Sequence, residues 1–266
     1  LLPRATSMMG VPTFYTRLLS SGDFTKDLVA HMRLFISGSA PLSAEVHKEF
    51  SERTGHAILE RYGMTETNMN TSNPYDGDRR PGTVGFPLPD VDLRIADPET
   101  GKVLEDGAVG VIEVKGPNVF KGYWRMPEKT AEEFRADGFF ITGDMGVVDS
   151  RGYVSIVGRA KDLIISGGFN VYPAEVEALI DEIPGVAENA VIGVAHPDFG
   201  EGVVAVVARK PGAELSAEAV RGALADKLAK FKQPKTVYMV DQLPRNTMGK
   251  IQKNVLRDTY KDTFAG

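Results

Sequence analysis

The sequence predicts mixed α/β and α+β structure in two parts, a larger part with sheets and a β-rich stretch, then a small α+β tail. Three patterns carry that expectation. Short apolar runs alternate with amphipathic helical patterns over residues 10–60. Strand patterns then follow one another over residues 91–158. From Asp162 a second, separate alternation of strands and helices begins. At 266 residues the chain suits one large or two smaller domains, with enough interior for a real core.

Residues 10–20 (GVPTFYTRLLS) read as a helix entered at Val11 and Pro12, with Phe14–Leu18 and Tyr15–Leu19 as i, i+4 apolar pairs. Arg17 lies between these pairs, where the plain reading is a solvated arginine on the polar face. Residues 33–37 (RLFIS) form a buried strand, followed by GSAPLS. Ser43 then caps a helix that carries Val46 and Phe50 and stops at Gly55. Residues 57–60 are a short strand that delivers ERYGMTET, and the backbone opens at Gly63 to present a ring, a hydroxyl and a carboxylate together. Open α/β sheets bind ligands at such carboxyl ends. Those letters alone favour a turn with a capping threonine.

Residues 73–89, rich in Pro, Gly and Asp, are loop. Strand patterns follow in VDLRIAD, GVIEVKG, FFITGD, GVVD and YVSIV, with turns at Asp106-Gly107 and Ser150-Arg151-Gly152. One helix, residues 127–135, interrupts them. Asp144 is expected to end a strand just after Gly143. The two patterns meet in residues 158–177, GRAKDLIISGGFNVYPAEVE. Residues 162–166 are too short and too β-branched for a helix. Gly167 and Gly168 free the backbone for a tight turn or the close approach of a ligand. Pro173 suits a first helical position, and Val176, Leu179, Ile180 and Ile183 line one apolar face behind it. The tail continues with strands at 187–194 and 203–208, a helix from Ser216 carrying Val220, Leu224 and Leu228, a strand at 236–240, PRNTMGK and an amphipathic helix. Lys227, Lys230, Lys232 and Lys235 make a basic cluster that is either solvated surface or an anion site.

Composition narrows the class. The chain is 42% hydrophobic and 25% charged, with net charge −5 and no long basic run, which argues against a nucleic-acid-binding surface. No apolar stretch has the length of a membrane span, and residues 1–10 lack a signal-peptide pattern. With no cysteine there is no disulfide framework and no thiolate ligand or nucleophile, which is compatible with a reducing cytoplasm.

YGMTET at residues 62–67, ITGD at 141–144, the Gly-Gly segment and PRNTMGK stand in an order and spacing that resemble the adenylate-forming (AMP-binding, acyl-CoA synthetase) superfamily. That superfamily comprises acyl-CoA synthetases, nonribosomal peptide adenylation domains and firefly-type luciferases. Its phosphate-binding loop, SGTTGxxKG, should lie well upstream of YGMTE, and nothing here matches it. The chain also begins LLPRATSMMG, without an initiator methionine. The expectation is the C-terminal half or so of a longer enzyme, inactive alone. Residues 1–160 would be the C-terminal part of the large adenylate-forming domain and residues 161–266 its small mobile α+β domain, with the hinge at Lys161.

The resemblance implies ATP, Mg²⁺ and coenzyme A. It makes Lys250 the adenylation lysine, bridging substrate carboxylate and α-phosphate, with Thr65 on the α-phosphate and Glu66 helping to hold Mg²⁺. Tyr62, opened by Gly63, would stack on adenine against the backbone of Gly38, Ser39, Ala40 and Pro41. Asp144 would take the ribose hydroxyls and Arg159 the ribose–phosphate region. Gly167 and Gly168 would line the pantetheine path, and the lysine cluster could meet the 3′-phosphate of coenzyme A.

For the carboxylate, Arg61 directly before YGMTE would be costly beside a fatty tail but would pair bidentately with a second carboxylate. The strings GVPTFYTRLL and ERYGMTETNMNTSNPY resemble malonyl-CoA synthetases, whose matching arginines clasp the distal carboxylate, here Arg17 and Arg61. A structural salt bridge is the plain alternative for Arg61. The rival readings are a CoA ligase for another short, fatty or aromatic carboxylate and a non-catalytic nucleotide-binding fragment. The expected partners are small molecules, without nucleic acid or a membrane span.

Overall fold

A computed structural model describes residues 4–247 and 249–265. The chain divides into two compact units, Leu1–Ile156 and Val157–Gly266. Both expected classes occur, α/β in the first sheet and α+β in the second unit.

The first unit opens with β1 (Ser7–Gly10), β2 (Leu34–Ser37) and β3 (Leu59–Met64), which lie parallel in that order. β4 (Asn68–Ser72) and β5 (Phe86–Pro87) extend the sheet antiparallel. Helices α1 (Pro12–Leu19), α2 (Lys26–Val29) and α3 (Ala44–Thr54) connect the parallel strands. The local signals work as the sequence requires. Pro12 opens α1, the Ser43 hydroxyl accepts the Val46 N–H at 3.2 Å, and Gly55 ends α3 at φ 78°. Phe50 is fully buried and meets Tyr15 and Phe35 edge-on, with ring centroids 5.4 and 4.9 Å away. A buried aromatic of this kind contributes roughly 1.5–3 kcal/mol. Of the two expected apolar pairs of α1, only Phe14 stays outside this core, against which Leu18 packs half-buried. Tyr15 and Leu19 are buried, whereas Phe14 is 48% exposed and covers Gly10.

A second sheet has the order β6 (Asp92–Ala96), β7 (Gly110–Lys115), β8 (Phe140–Val148), β9 (Val154–Arg159), with α4 (Pro127–Glu132) between β7 and β8. Asp144 does not end a strand. FFITGD and GVVD form the single strand β8, and the β7 register slips between Val111 and Glu113, opposite residues 141–145. Gly143, at φ 71°, supplies the left-handed residue that lets β8 bulge there and continue.

The second unit is built on β12 (Val186–His196) and β13 (Gly200–Arg209), an antiparallel pair flanked by β10 (Ile164–Ser166) and β11 (Phe169–Val171) on one side. β14 (Thr236–Val240) pairs parallel with β13. Alternation along β12 and β13 sends Val191, Val203, Ala205 and Val207 toward α5 (Pro173–Asp181) and α6 (Ala217–Leu224). Ile192, Val194, Val204 and Val206 pack on the other face with Leu256 of α7 (Lys253–Tyr260). Both faces are covered, which is why these strands read as nearly continuous apolar runs.

Candidate active site

β3 outruns β2. Their last paired positions are Ser37 and Glu60, so Arg61 is the first residue of β3 beyond the carboxyl end of its neighbour. The loop leaving β2 begins at buried Gly38 and continues through exposed Ser39, Ala40 and Pro41. Ser39 is held at φ 69°, a left-handed conformation that costs a non-glycine residue about 1 kcal/mol or more. The Arg61 guanidinium lies over Gly38, where an added Cβ would stand 2.9 Å from Nη1. Nη2 contacts Sδ of Met9 at 3.2 Å. Among the described residues no carboxylate lies within ion-pair distance of Arg61. The salt bridge weighed as its alternative is therefore missing among them. Arg17 is exposed on α1, and the structure records no contact that joins it to Arg61.

The rest of β3 carries the YGMTE motif. A Cβ at Gly63 would lie 1.8 Å from the Asn68 carbonyl oxygen, and the β3–β4 register shifts between Tyr62 and Gly63. Only glycine admits that approach. Tyr62 is buried and donates its hydroxyl to Oδ2 of Asp144 at 2.5 Å. Asp144, also buried, takes its place from the β8 bulge, where its N–H meets the Thr142 hydroxyl at 3.1 Å. The structure thus joins two of the expected nucleotide residues directly. Thr65 is exposed in the turn at residues 65–67, and Glu66 beside it is half-buried. Just before the motif, Glu60 is buried, and that burial pushes its carboxyl up to about 8, with the Gly82 backbone pulling the other way.

Residues 118–123 form a clamp on this turn that the motifs of the sequence do not mark. The Asn118 amide donates to the carbonyls of Thr67 (2.8 Å) and Met69 (3.1 Å). The Phe120 N–H donates to the Glu66 carbonyl at 2.7 Å, and the Tyr123 hydroxyl donates to Glu66 Oε1 at 3.2 Å. Burial, and then the Glu66 charge, push the Tyr123 phenol up to about 12, so it keeps its proton at neutral pH. The one signal for it in the sequence is the aromatic run VFKGYW ahead of Pro127. Among the described residues no group of three or more His, Asp or Glu could hold a metal by itself. One carboxylate at Glu66 nevertheless suits Mg²⁺, which is commonly held by one or two carboxylates together with substrate phosphates.

In the second unit the expected strand–Gly-Gly–helix segment has one strand more. Gly167 (φ 60°) and Gly168 (φ 80°) make a two-residue turn between β10 and β11, whose ends pair as Ser166 and Phe169. Positive φ at both central residues is what such a hairpin turn needs. A Cβ at Gly168 would meet nothing within 4 Å, so the turn presents bare backbone to open space. Arg159 is exposed at the end of β9, and Lys161 is exposed in a single 3-10 turn, Ala160–Asp162. Arg257 of α7 holds Asp162 at 2.5 Å.

Lys250 leaves a turn closed by a bridge between Arg245 and Ile251. Asn246 ties it from both sides, its N–H to the Lys250 carbonyl and its side-chain oxygen to the Lys250 N–H, each at 2.9 Å. Gly249 adopts φ 78°, while Met248 of the PRNTMGK segment lies outside the described residues. The lysine cluster is not four free cations. Lys227 pairs with Glu182 at 2.9 Å and Lys232 with Glu175 at 2.7 Å, while Lys235 stands 3.9 Å over the Phe199 ring.

Two family models match this chain, AMP-binding enzyme over residues 3–124 and AMP-binding enzyme C-terminal domain over residues 175–250. The malonate–CoA ligase of Arabidopsis thaliana is 39% identical, aligned over 97% of this chain and 45% of its own length. A probable CoA ligase of Humulus lupulus is 40% identical over 95% of this chain and 44% of its own length. The ATP-bound structure of MatB from Rhodopseudomonas palustris matches with a TM-score of 0.97 at 68% identity, covering 99% of this chain and 52% of that chain. The chain spans about half the length of the relatives it matches.

Proposed function

The chain belongs to the AMP-binding enzyme family, and from that premise we propose that the enzyme it forms about half of joins malonate to coenzyme A at the expense of ATP. In the first half-reaction a malonate carboxylate oxygen attacks the α-phosphorus of ATP. Pyrophosphate leaves and malonyl-AMP forms. In the second, the coenzyme A sulfur attacks the malonyl carbonyl and AMP leaves, a far better leaving group than the oxide of a free carboxylate. No protein nucleophile is needed for either step.

The residues divide this work by position. Tyr62 and the loop of Gly38, Ser39, Ala40 and Pro41 would receive the adenine, and Asp144 and Arg159 the ribose. Thr65 would bond the α-phosphate. Glu66 would hold Mg²⁺, which when bound supplies positive charge to the phosphates. Lys250 would stabilise negative charge as it grows on the carboxylate and α-phosphate. The small unit would then turn about Lys161 between half-reactions, and Gly167 and Gly168 would pass the pantetheine arm. The bare Gly168 backbone supports that part of the reading.

The observation that carries the malonate assignment is Arg61. Its guanidinium stands at the carboxyl edge of the parallel sheet, over a glycine, without a carboxylate partner among the described residues. A distal carboxylate supplies the missing charge and matches the planar fork. A plain monocarboxylate tail would leave that charge uncompensated. Arg17 is the second, more exposed candidate for the same anion. A carboxylate panel with the full-length enzyme, read by pyrophosphate release, tests the reading. Malonate should exceed propionate and butyrate by about tenfold or more in kcat/KM, since one charged hydrogen-bonded pair is worth at least that. Equal or better turnover of butyrate would remove the assignment.

A further inference from the structure

We propose that Tyr123 is a positioning residue that holds the Glu66 carboxylate in the orientation in which it meets the nucleotide's divalent cation. The proposal rests on the reading above, in which Glu66 is that cation's protein ligand.

Glu66 sits in a three-residue turn between β3 and β4, next to exposed Thr65. A glutamate in such a place has free rotamers, and ordering it on binding costs entropy. Here the ordering is already done by residues 118–123. Phe120 fixes the Glu66 main chain through its carbonyl at 2.7 Å, and Tyr123 fixes one carboxylate oxygen, Oε1, at 3.2 Å. A carboxylate held by one oxygen keeps the other for a cation.

Tyr123 is itself held at its main chain and at its ring. The Tyr123 N–H donates to the Thr130 hydroxyl at 2.9 Å, and the Phe120 ring stands edge-on at 4.8 Å. Phe120 in turn packs on Phe134 and Phe140, with centroids 5.8 and 5.3 Å away. At Gly122 (φ 144°) a Cβ would fall 2.6 Å from Thr130 Cγ2, so only glycine lets the segment lie this close to α4. A purely structural staple would need no bond to the carboxylate, because Asn118 and Phe120 already fasten the turn through main-chain carbonyls.

The test is Tyr123→Phe in the full-length enzyme, which removes the hydroxyl and keeps the ring against Phe120. Binding of Mn²⁺ in the presence of ATP, followed by electron paramagnetic resonance, should weaken about tenfold, the order of one hydrogen bond to a charged group. The Mg²⁺ concentration for half-maximal adenylation should rise by a similar factor, and excess Mg²⁺ should restore the rate. Thioester formation from preformed acyl-adenylate, which transfers no phosphoryl group, should not change. Unaltered Mn²⁺ binding, or a loss of rate that excess metal leaves in place, would overturn the proposal. Glu66→Gln separates the two layers. If it weakens Mn²⁺ binding and Tyr123→Phe does not, Tyr123 has no positioning role. If neither variant does, Glu66 is not the cation's ligand and both statements fall.

Discussion

The Tyr62 hydroxyl donates a 2.5 Å hydrogen bond to Oδ2 of Asp144 across 82 residues of chain. Both side chains are buried, and each comes from an irregular point in a strand, the β3 register shift at Gly63 and the β8 bulge at Gly143. The two irregularities serve one purpose, to bring a ring and a carboxylate together at the proposed nucleoside site.

Removing that bond should be felt by the nucleotide. A short bond from a neutral donor to a carboxylate contributes about 1.5–3 kcal/mol. Tyr62→Phe keeps the ring for stacking and removes one of the contacts that orient Asp144. The KM for ATP should rise roughly tenfold, with a smaller effect on KM for the carboxylate. An unchanged KM for ATP would mean that Asp144 keeps its orientation without Tyr62.

Lys250 is proposed to act only while the phosphoryl group is transferred. Its main chain is fixed by Asn246 from both sides, and the half-buried side chain leaves the turn beyond Gly249. In the full-length enzyme Lys250→Ala should slow adenylation by about 10²–10³-fold, the usual scale for one preorganised charge-stabilising donor. Thioester formation from preformed malonyl-AMP should change far less. Comparable losses in both half-reactions would show that the lysine has no step-specific role.

Much of this architecture is legible in the residues, and the exceptions share a cause. Ser43, Gly55 and Pro173 act within a few residues of themselves, so helix starts and stops follow from local chemistry. Asp144 reads as a strand end because Gly143-Asp144 is locally a turn. Its place in the sheet between β7 and β9 carries the strand through it. Gly167 and Gly168 read as a turn, but the short strand behind them needs its pairing with β10 to exist at all. Phe14 and Tyr15 are both aromatic, and the positions of Phe50 and of the Ile36 carbonyl, which accepts the Tyr15 hydroxyl, decide which of them is buried. Tyr123 is marked in the sequence only as part of an aromatic run, and its bond to Glu66, 57 residues away, is a pairing no short pattern reports.

Glu60 gives the enzyme a pH-dependent cost in stability. Its carboxyl lies at about 8 in the fold against an ordinary 4.5, and burial is the main cause. Among the described residues its Oε1 is buried without a hydrogen-bond partner, as is the hydroxyl of Ser37, its register neighbour on β2. The folded state therefore keeps the proton over a range in which the unfolded chain releases it. Stability from this residue is complete below about pH 4.5, falls as pH rises toward 8, and levels off above that. Glu60→Gln removes the titration and keeps the shape. In urea unfolding the variant should gain on the wild type by roughly 2–3 kcal/mol between about pH 5.5 and pH 8, since a tenfold change in proton affinity corresponds to about 1.4 kcal/mol. A difference that stays flat over that range would mean that Glu60 is already ionised in the fold.

Arg61 carries the substrate assignment, so its substitution is the decisive measurement. The guanidinium sits on Gly38 and against Met9, with no carboxylate among the described residues to neutralise it. Removing one member of a desolvated, hydrogen-bonded charge pair costs roughly 2–5 kcal/mol. Arg61→Ala should then lower kcat/KM for malonate by about 30-fold or more. Propionate and butyrate should lose much less, and the smaller side chain should favour them, because an uncompensated charge has gone. Arg61→Lys should rescue only in part, since it keeps the charge but not the planar fork. Arg17→Ala should move malonate in the same direction by a smaller factor, as its side chain is exposed. Gly38→Ala offers an independent check, because its Cβ would press on Nη1 and displace the guanidinium without removing it. It should weaken malonate more than butyrate. A parallel fall for malonate and butyrate in Arg61→Ala would make Arg61 a support for Tyr62 and Thr65, and the specificity would have to be sought elsewhere in the enzyme.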